Sequence, residues 1–156
     1  MSTRDDYSDE NCSIARTLAV LGDRWTLLVL REAFNGVRRF EDLQRRLGVA
    51  RDVLTVRLSR LVDEGVLERV PYREPGQRRR HEYRLTAKGL DAYPILVALL
   101  AWGDRHKADA AGPAVELVHA GCGGEVAVEL RCEHGHAVDV REVRVRPGPG
   151  ARRRAA

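Results

Sequence analysis

The chain has 156 residues, of which 44% are hydrophobic and 32% are charged. This length fits one domain with a buried core and a small appendage. No apolar run reaches the roughly 18 residues of a membrane span, so a membrane-spanning helix is excluded and no membrane partner is expected. The first ten residues are polar and include four acids, unlike a secretory signal, which favours a cytoplasmic location. Three cysteines, an odd number, argue against a disulfide scaffold and leave thiols or metal ligands.

The positive charge of the chain is concentrated in one segment. The formal net charge is +4. Residues 37–81 contain 12 arginines, no lysine and 7 acids, which gives this segment +5, whereas residues 1–36 carry −2 and residues 82–156 carry +1. A charged run by itself usually marks a solvated surface, so its meaning depends on the elements that carry it.

Four helices are predicted before residue 66. The first has Ile14, Leu18 and Leu21 on one face. Asp23 is a good N-cap for the second, which runs from residue 24 to about residue 34 and is apolar on every side, as expected of a buried helix. A third, short helix ends at a glycine, and the fourth begins near Ala50.

The fourth helix has two distinct faces. Its inward stripe is formed by Leu54, Leu58 and Leu61. The outward positions are Arg51, Asp52, Thr55, Val56, Ser59 and Arg60, with Arg57 on the flank. Two short strands follow, over residues 66–73 and 81–85, and the turn between them forms an exposed basic tip.

A fifth helix is predicted after the second strand. Thr86 can cap it, and it continues to about Ala108. Between Tyr93 and Trp102 it is almost wholly apolar, with Pro94 as the exception. A helix on the surface of a monomer would show a polar face here, so we expect this one to pack against another chain. Pro94 either kinks the helix or resets its start.

Gly112 and Pro113 mark a boundary in composition. Beyond them, valine-rich alternating stretches over residues 114–118, 125–131 and 137–145 predict a small β-rich appendage that ends at residue 146. Residues 147–156 are rich in proline, glycine and arginine, which predicts a loose, disordered basic tail.

The order of a helix, a glycine-containing turn, a second helix and two strands with a basic tip predicts a winged helix–turn–helix. The expected fold class is therefore mainly α with a β-wing. Residues 1–111 form the winged helix–turn–helix unit with its dimerisation helices, and residues 112–146 form the small C-terminal β-rich appendage.

The free face of the fourth helix suits the major groove of double-stranded DNA. Arginine fits guanine edges, threonine can donate or accept, and valine fits a thymine methyl group. The candidate base-contacting residues are Arg51, Asp52, Thr55, Val56 and Arg57. The candidate phosphate-contacting residues are Arg38 and Arg39 before the third helix, and Arg78, Arg79 and Arg80 at the wing tip. Arg39 could instead pair with an acid.

At this point the sequence resembles the HxlR-type regulators, relatives of the MarR-type winged helix proteins. The residues that carry the resemblance are Cys12–Ile14, Gly22–Leu28, Arg39–Leu43, Val49–Leu61, Gly65–Arg69, His81–Thr86 and Trp102. The resemblance implies a homodimeric DNA-binding transcriptional regulator whose first and last helices form the dimer interface. The interface candidates are Ile14, Leu18, Tyr93, Leu96, Leu100 and Trp102.

Three positions either depart from the family pattern or allow more than one interpretation. Ala50 stands where the family often has a capping serine, which predicts a less firmly capped fourth helix. Asp52 stands where a basic or polar residue is common; it could accept from a cytosine amino group, but the favourable helix dipole is the preferred explanation. Cys12 matches the redox-sensing cysteine of some HxlR-type regulators, and the alternative is a small buried residue at the dimer interface.

The predicted appendage holds a set of nitrogen and sulfur donors. His119 and Cys122 lie on one turn, and Cys132, His134 and His136 lie on the next. This spacing is similar to a small zinc ribbon, and a structural zinc would help an appendage with little core to fold. Neither half is a CxxC motif, so free or disulfide-linked cysteines are the alternative. No cofactor is otherwise required.

The sequence therefore predicts a dimeric repressor that occupies a pseudo-palindromic operator and is released by a small-molecule effector or by thiol oxidation. The alternative is a winged helix module used for protein or RNA contacts, which would show an acidic or apolar face on its fourth helix. A zinc enzyme is rejected, because the chain offers no cleft motif and no Ser/His/Asp constellation.

Overall fold

The computed structural model describes residues 9–73, 75–76 and 78–152. Its α-helices are α1 (Ser13–Leu21), α2 (Arg24–Phe34), α3 (Phe40–Leu47), α4 (Arg51–Asp63), α5 (Ala87–Leu90) and α6 (Tyr93–Lys107). Between α4 and α5, strands β1 (Leu67–Tyr72) and β2 (Arg80–Leu85) pair antiparallel, with Leu67 opposite Leu85 and Tyr72 opposite Arg80. The fold is mainly α with a two-stranded wing, as the sequence predicts.

The core lies where α2, α3 and α4 pack beneath the wing. Helix α2 contacts α3, α4 and β2, and α4 also contacts β1. Leu54, Leu58 and Leu61, the inward stripe of α4, are at most 1% exposed, and Val29 and Leu30 of α2 are completely buried. Burial of each such side chain contributes about 1.5–3 kcal/mol, so this cluster holds α4 against α2.

Helix α2 begins with the predicted cap. Asp23 Oδ1 accepts hydrogen bonds from the backbone N–H groups of Trp25 at 3.0 Å and Thr26 at 3.2 Å. These N–H groups have no partner within the helix, so the carboxylate satisfies them and also faces the positive end of the helix dipole. Helix α4 has no side-chain cap at Ala50, which confirms its weaker start.

The turn between α3 and α4 depends on Gly48. Its φ of 61° lies in the left-handed region, and its N–H donates to the carbonyl of Gln44 at 2.9 Å. A side chain is strained in this conformation, whereas glycine adopts it freely. The turn then directs α4 across α2, so that one face of α4 is buried and the other is open.

The predicted fifth helix is divided into α5 and α6. Thr86 Oγ1 caps α5 by accepting from the N–H of Gly89 at 3.1 Å. Pro94 lies in the first turn of α6, where its missing N–H costs nothing. Pro94 therefore resets the start of the helix rather than kinking it. Among the described residues, no helix is both long and apolar enough to cross a membrane.

The base of the wing includes the segment before α3. Arg39 forms a bridge with Glu82 of β2, and the N–H of Tyr83 donates to the carbonyl of Arg38 at 2.8 Å. Backbone hydrogen bonds therefore place Arg38 and Arg39 along the edge of the sheet. Glu74 and Gln77, which belong to the predicted tip, lie outside the described residues.

The predicted strands of the β-rich appendage are not formed in the described residues 112–152, so this part of the prediction is wrong. Over residues 112–152 the structure has two hairpin turns, each closed by a single bridge, Val118 with Glu125 and Arg131 with Ala137. No residue of this described segment is buried. A valine-rich strand is stable only when one face packs against a layer, and this single chain provides no such layer.

The end of the appendage has local polar order. Asp139 caps a short 3₁₀ helix, Val140–Glu142, and its hydrogen bond with the Arg141 side chain, together with the Arg141 backbone N–H, lowers the pKa of its carboxyl. The described part of the predicted tail contains a turn, and Asn11 Nδ2 donates to the carbonyl of Gly150 at 3.2 Å. Residues 153–156 of that tail lie outside the described residues.

Candidate nucleic-acid interface

The open face of α4 is mainly polar and includes one exposed valine. Arg51, Asp52 and Thr55 are exposed, and Val56 is 57% exposed. The Thr55 hydroxyl donates to the carbonyl of Arg51 at 2.8 Å, so its oxygen is left to accept. Because the buried leucines hold the opposite side of the helix, this face is presented on a rigid support.

The first turn of α4 is held by an aromatic contact. The Arg51 guanidinium lies 4.7 Å from the centre of the Phe40 ring, which begins α3. Such a cation–π contact orients the side chain and leaves the edge of the guanidinium available for hydrogen bonds. Asp52 lies in the same first turn, where the helix dipole favours a carboxylate.

Arg57 does not lie on the open face. Its Nε atom is buried and 2.8 Å from Asp23 Oδ1, and its side chain is only 25% exposed. The N–H does not point at that oxygen well enough for a hydrogen bond, so the contact is an ion pair. The predicted base contact by Arg57 therefore needs correction, because the partner across the α2–α4 boundary turns the guanidinium towards α2.

The wing carries a second exposed basic group. Arg78 and Arg79 are exposed beside Tyr72, while Arg80 lies 3.8 Å from Glu41 at the start of α3. Arg39 stacks over the Tyr72 ring at 4.7 Å. This stacking holds the Arg39 side chain against β1. The wing is therefore contacted by Arg39 before α3 and by Glu41 within α3.

Two further arginines were not predicted at this surface. Arg45 and Arg46, in the last turn of α3, line a shallow groove together with Arg38 and Arg39. Arg46 lies 3.5 Å from Glu32, a buried carboxylate of α2 that Arg31 also contacts at 2.7 Å. The sequence signal that could have identified Arg45 and Arg46 is their position in the last turn of α3, the first helix of the helix–turn–helix.

The exposed apolar face of α6 differs from the predicted one. Ile95, Leu99 and Trp102 are 40%, 48% and 57% exposed and follow one another at helical spacing. Leu96, in contrast, packs against the chain's own core, and Leu100 is half-buried. Leu96 therefore faces inward, whereas Ile95 and Leu99 were missed.

Three other interface candidates are exposed as predicted. On α1, Ile14 is 73% exposed and Leu18 is 60% exposed. Tyr93 is partly exposed at the start of α6, with its ring centre 4.6 Å from that of Phe34. An apolar surface of this kind on two helices is unusual for a monomer and is typical of an interaction site.

All three cysteines are free thiols. Cys12 is the half-buried N-cap residue of α1, while Cys122 and Cys132 lie on the two turns of the appendage. No intramolecular disulfide therefore joins the first helix to the appendage.

The predicted zinc donors are distributed over two separate turns. His119 Nδ1 lies 3.1 Å from Cys122 Sγ, and the rings of His134 and His136 are 6.4 Å apart. Residues 125–131 connect the two turns without a further turn or bend. Within the described residues, no three His, Cys, Asp or Glu side chains are gathered for a metal.

Structural zinc thus stays a prediction, and a ribbon would require the two turns to come together at one ion. Metal analysis of protein purified without chelators tests it. One zinc per chain would support the ribbon, whereas less than stoichiometric zinc would leave these cysteines as free thiols or disulfides.

A helix–turn–helix, a two-stranded wing and an open polar face on the second helix together define a winged helix–turn–helix protein. The model of the HxlR-like helix-turn-helix family matches residues 20–111. The chain belongs to this family and is a transcriptional regulator of the helix–turn–helix type, not an enzyme.

Individual relatives agree with this family. An uncharacterized HTH-type transcriptional regulator of Mycobacterium tuberculosis is 45% identical over 148 residues, which cover 94% of this chain and 92% of that protein. The crystal structure of PA1607, a proposed transcription factor, has a TM-score of 0.79 and 37% identity, covering 89% of this chain and 96% of that chain. The reduced redox regulator HypR has a TM-score of 0.55 and 26% identity, covering 60% of this chain and 92% of that chain.

Proposed function

We propose that the chain is a cytoplasmic, sequence-specific DNA-binding repressor that acts as a homodimer on a pseudo-palindromic operator. The observation that carries the proposal is the open face of α4, where Arg51, Thr55 and Val56 are exposed above a buried leucine stripe. An α-helix fits the major groove of B-DNA, and these side chains match guanine edges, amino groups and thymine methyl groups respectively.

Contacts to the DNA phosphates would add affinity that does not depend on sequence. Arg78 and Arg79 at the wing tip are exposed and can approach the backbone or a narrow minor groove. Arg38 and Arg39 at the base of the wing would supply a second phosphate contact. An acidic or apolar face on α4 would have favoured a protein- or RNA-binding module, and the observed face is neither.

The dimer would form through α1 and α6. Two copies that cover Ile14, Leu18, Ile95, Leu99 and Trp102 against each other would remove a large apolar surface from water. A two-fold axis at this interface places two copies of α4 in successive major grooves, about 34 Å apart. Occupation of the operator by both subunits then blocks access to the promoter.

Release from DNA would result from an effector or from oxidation of Cys12. This thiol directly precedes α1, so a change in its chemistry alters helix packing at the proposed interface. The structural similarity to the redox regulator HypR supports thiol oxidation as the signal. Cys12 is a free thiol in the structure, so a two-electron oxidant such as a peroxide would have to take up the two electrons and two protons released as Cys12 forms a disulfide with Cys12 of the second copy or with an appendage cysteine.

Footprinting on the chain's own promoter region tests the proposal. We expect a symmetric protected site with two half-sites about one helical turn apart. Absence of protection on any operator-like fragment, with folded protein at micromolar concentration, would refute operator binding.

We expect Arg79→Ala to weaken binding to operator and non-operator DNA by the same factor. A phosphate contact carries no sequence information, and its loss releases one counterion fewer, so the slope of log K against log salt should fall by about 0.9. Titrations at several salt concentrations measure both quantities. Arg144→Ala, at an exposed arginine of the appendage, is the control and should change neither. A loss confined to operator DNA would instead indicate a base contact.

A further inference from the structure

Three arginines of α4 each connect this helix to a different neighbour. Arg51 stacks on Phe40 of α3, Arg57 pairs with Asp23 at the start of α2, and Arg60 donates to the carbonyl of Ala19 in α1. The contact of Arg57 is the most enclosed of the three, because its Nε atom has no access to solvent. It is therefore the contact that a change in the orientation of α4 would disturb most.

The partner of Arg57 is itself fixed in place. Asp23 Oδ1 already accepts the N–H groups of Trp25 and Thr26, at 3.0 and 3.2 Å, and the same oxygen lies 2.8 Å from Arg57 Nε. Asp23 is thus an immobile negative charge at the start of a helix whose residues Val29 and Leu30 are completely buried. The ion pair with Asp23 therefore restricts the position of the Arg57 side chain and of the α4 segment that carries it.

The leucine stripe alone does not determine how α4 is rotated. Apolar contacts are non-directional, and successive residues of a helix are separated by about 100° around its axis. A modest rotation would keep Leu54, Leu58 and Leu61 within the core but would move the open face relative to a groove. An ion pair on the flank of the helix resists this rotation, because both charges are partly buried and would lose their partner.

We propose that Arg57 is a positioning residue that, through Asp23, fixes the rotation of α4 and so decides which side chains meet the base edges. This proposal rests on the proposed function, since it requires that the open face of α4 contacts DNA. In this role Arg57 contributes to sequence discrimination without contacting a base. It does not contact a phosphate either.

The test uses Asp23→Asn, Arg57→Gln and the double variant of the full chain. Asparagine is a good N-cap, so Asp23→Asn keeps the start of α2 and removes only the charge. The measured quantity is the dissociation constant for a non-operator duplex divided by that for a footprinted promoter fragment of the same length. We expect each single variant to lower this ratio by about tenfold, within the range of measured couplings between contacting residues. The double variant should lose no more than the more affected single variant.

Two further readouts separate positioning from a general loss of structure. The salt dependence of non-operator binding should stay unchanged, because no phosphate contact is removed. Lys88→Gln removes the exposed ion pair in which Lys88 Nζ lies 3.9 Å from the Glu64 carboxylate at the far end of α4, together with the hydrogen bond of Nζ to the Glu64 carbonyl at 2.6 Å, and it should leave the ratio unchanged. Asp23→Ser, a second neutral cap, should behave as Asp23→Asn does, and thermal unfolding confirms that each variant is folded at the assay temperature.

Particular results would overturn the proposal. If Arg57→Gln lowers the ratio but Asp23→Asn does not, Arg57 contacts a base directly. If neither lowers it, or if the two losses add in the double variant, the ion pair does not position α4. A wild-type chain that does not distinguish the two duplexes would overturn the proposed function as well, whereas discrimination retained by Asp23→Asn overturns positioning alone.

Discussion

Replacement of Gly89 by alanine should destabilise the domain by about 1–3 kcal/mol, although alanine normally favours a helix. Gly89 lies in α5, and a Cβ atom there would be 2.2 Å from the carbonyl oxygen of Val66. That carbonyl also accepts hydrogen bonds from the N–H and the hydroxyl of Thr86, so a shift of the carbonyl would disturb both bonds. The clash must therefore separate α5 from Val66, the residue that directly precedes β1.

Gly103→Ala in α6 is the matched control for this prediction. It is also a helical glycine, but no neighbouring atom lies within 4 Å of the added Cβ in the chain. We expect it to be neutral or to stabilise the protein by up to about 0.5–1 kcal/mol. Urea unfolding of the two variants measures the difference. Equal stabilities would show that α5 does not approach the β1 entry as closely as the structure indicates.

Replacement of Leu99 by glutamate should convert the proposed dimer to a monomer and reduce operator affinity by about 100-fold or more. Leu99 is at the centre of the exposed row Ile95, Leu99 and Trp102, so the substitution would bury two unpaired carboxylates across a two-fold interface. A monomer also loses the gain that comes from binding two half-sites through one linked molecule.

Two leucines nearby make this prediction specific. Leu90→Glu places the same charge at an exposed position of α5, 56% accessible, and should leave the dimer intact. Leu96→Glu places it against the chain's own core and should unfold the subunit rather than merely separate it. Light scattering after size exclusion gives the mass of each variant, and circular dichroism gives its fold. If the Leu99→Glu variant remains dimeric, the exposed row on α6 is not part of the dimer interface.

Helices and wing were predictable because their signals are local. The Asp23 cap, the leucine stripe of α4 and the turn at Gly48 each depend on residues within a few positions of one another, and all three are present in the structure. Pro94 gave a correct alternative for the same reason: its geometry forbids a helix interior but suits a first turn.

Orientation within the candidate site was not predictable from local patterns. Arg57 is paired with a residue 34 positions earlier in the chain, and the pairing depends on how α2 and α4 cross. Helix α6 is apolar almost all round, so periodicity could not distinguish the side that faces its own core, with Leu96, from the side left open, with Leu99. In the appendage, alternating valines signal strands only if a layer is there to cover them.

The arginines of α4 also explain a feature of its chemistry that net charge hides. Lysine at positions 51, 57 and 60 would leave the formal charge of the chain unchanged. Yet a lysine ammonium cannot lie flat on the Phe40 ring, and it has no planar fork to hold a fixed direction beside Asp23. Under the proposed function, a lysine-for-arginine exchange throughout this helix would therefore keep the attraction to a polyanion while loosening the proposed recognition helix. Such a protein would still adhere to DNA but would discriminate poorly between sites.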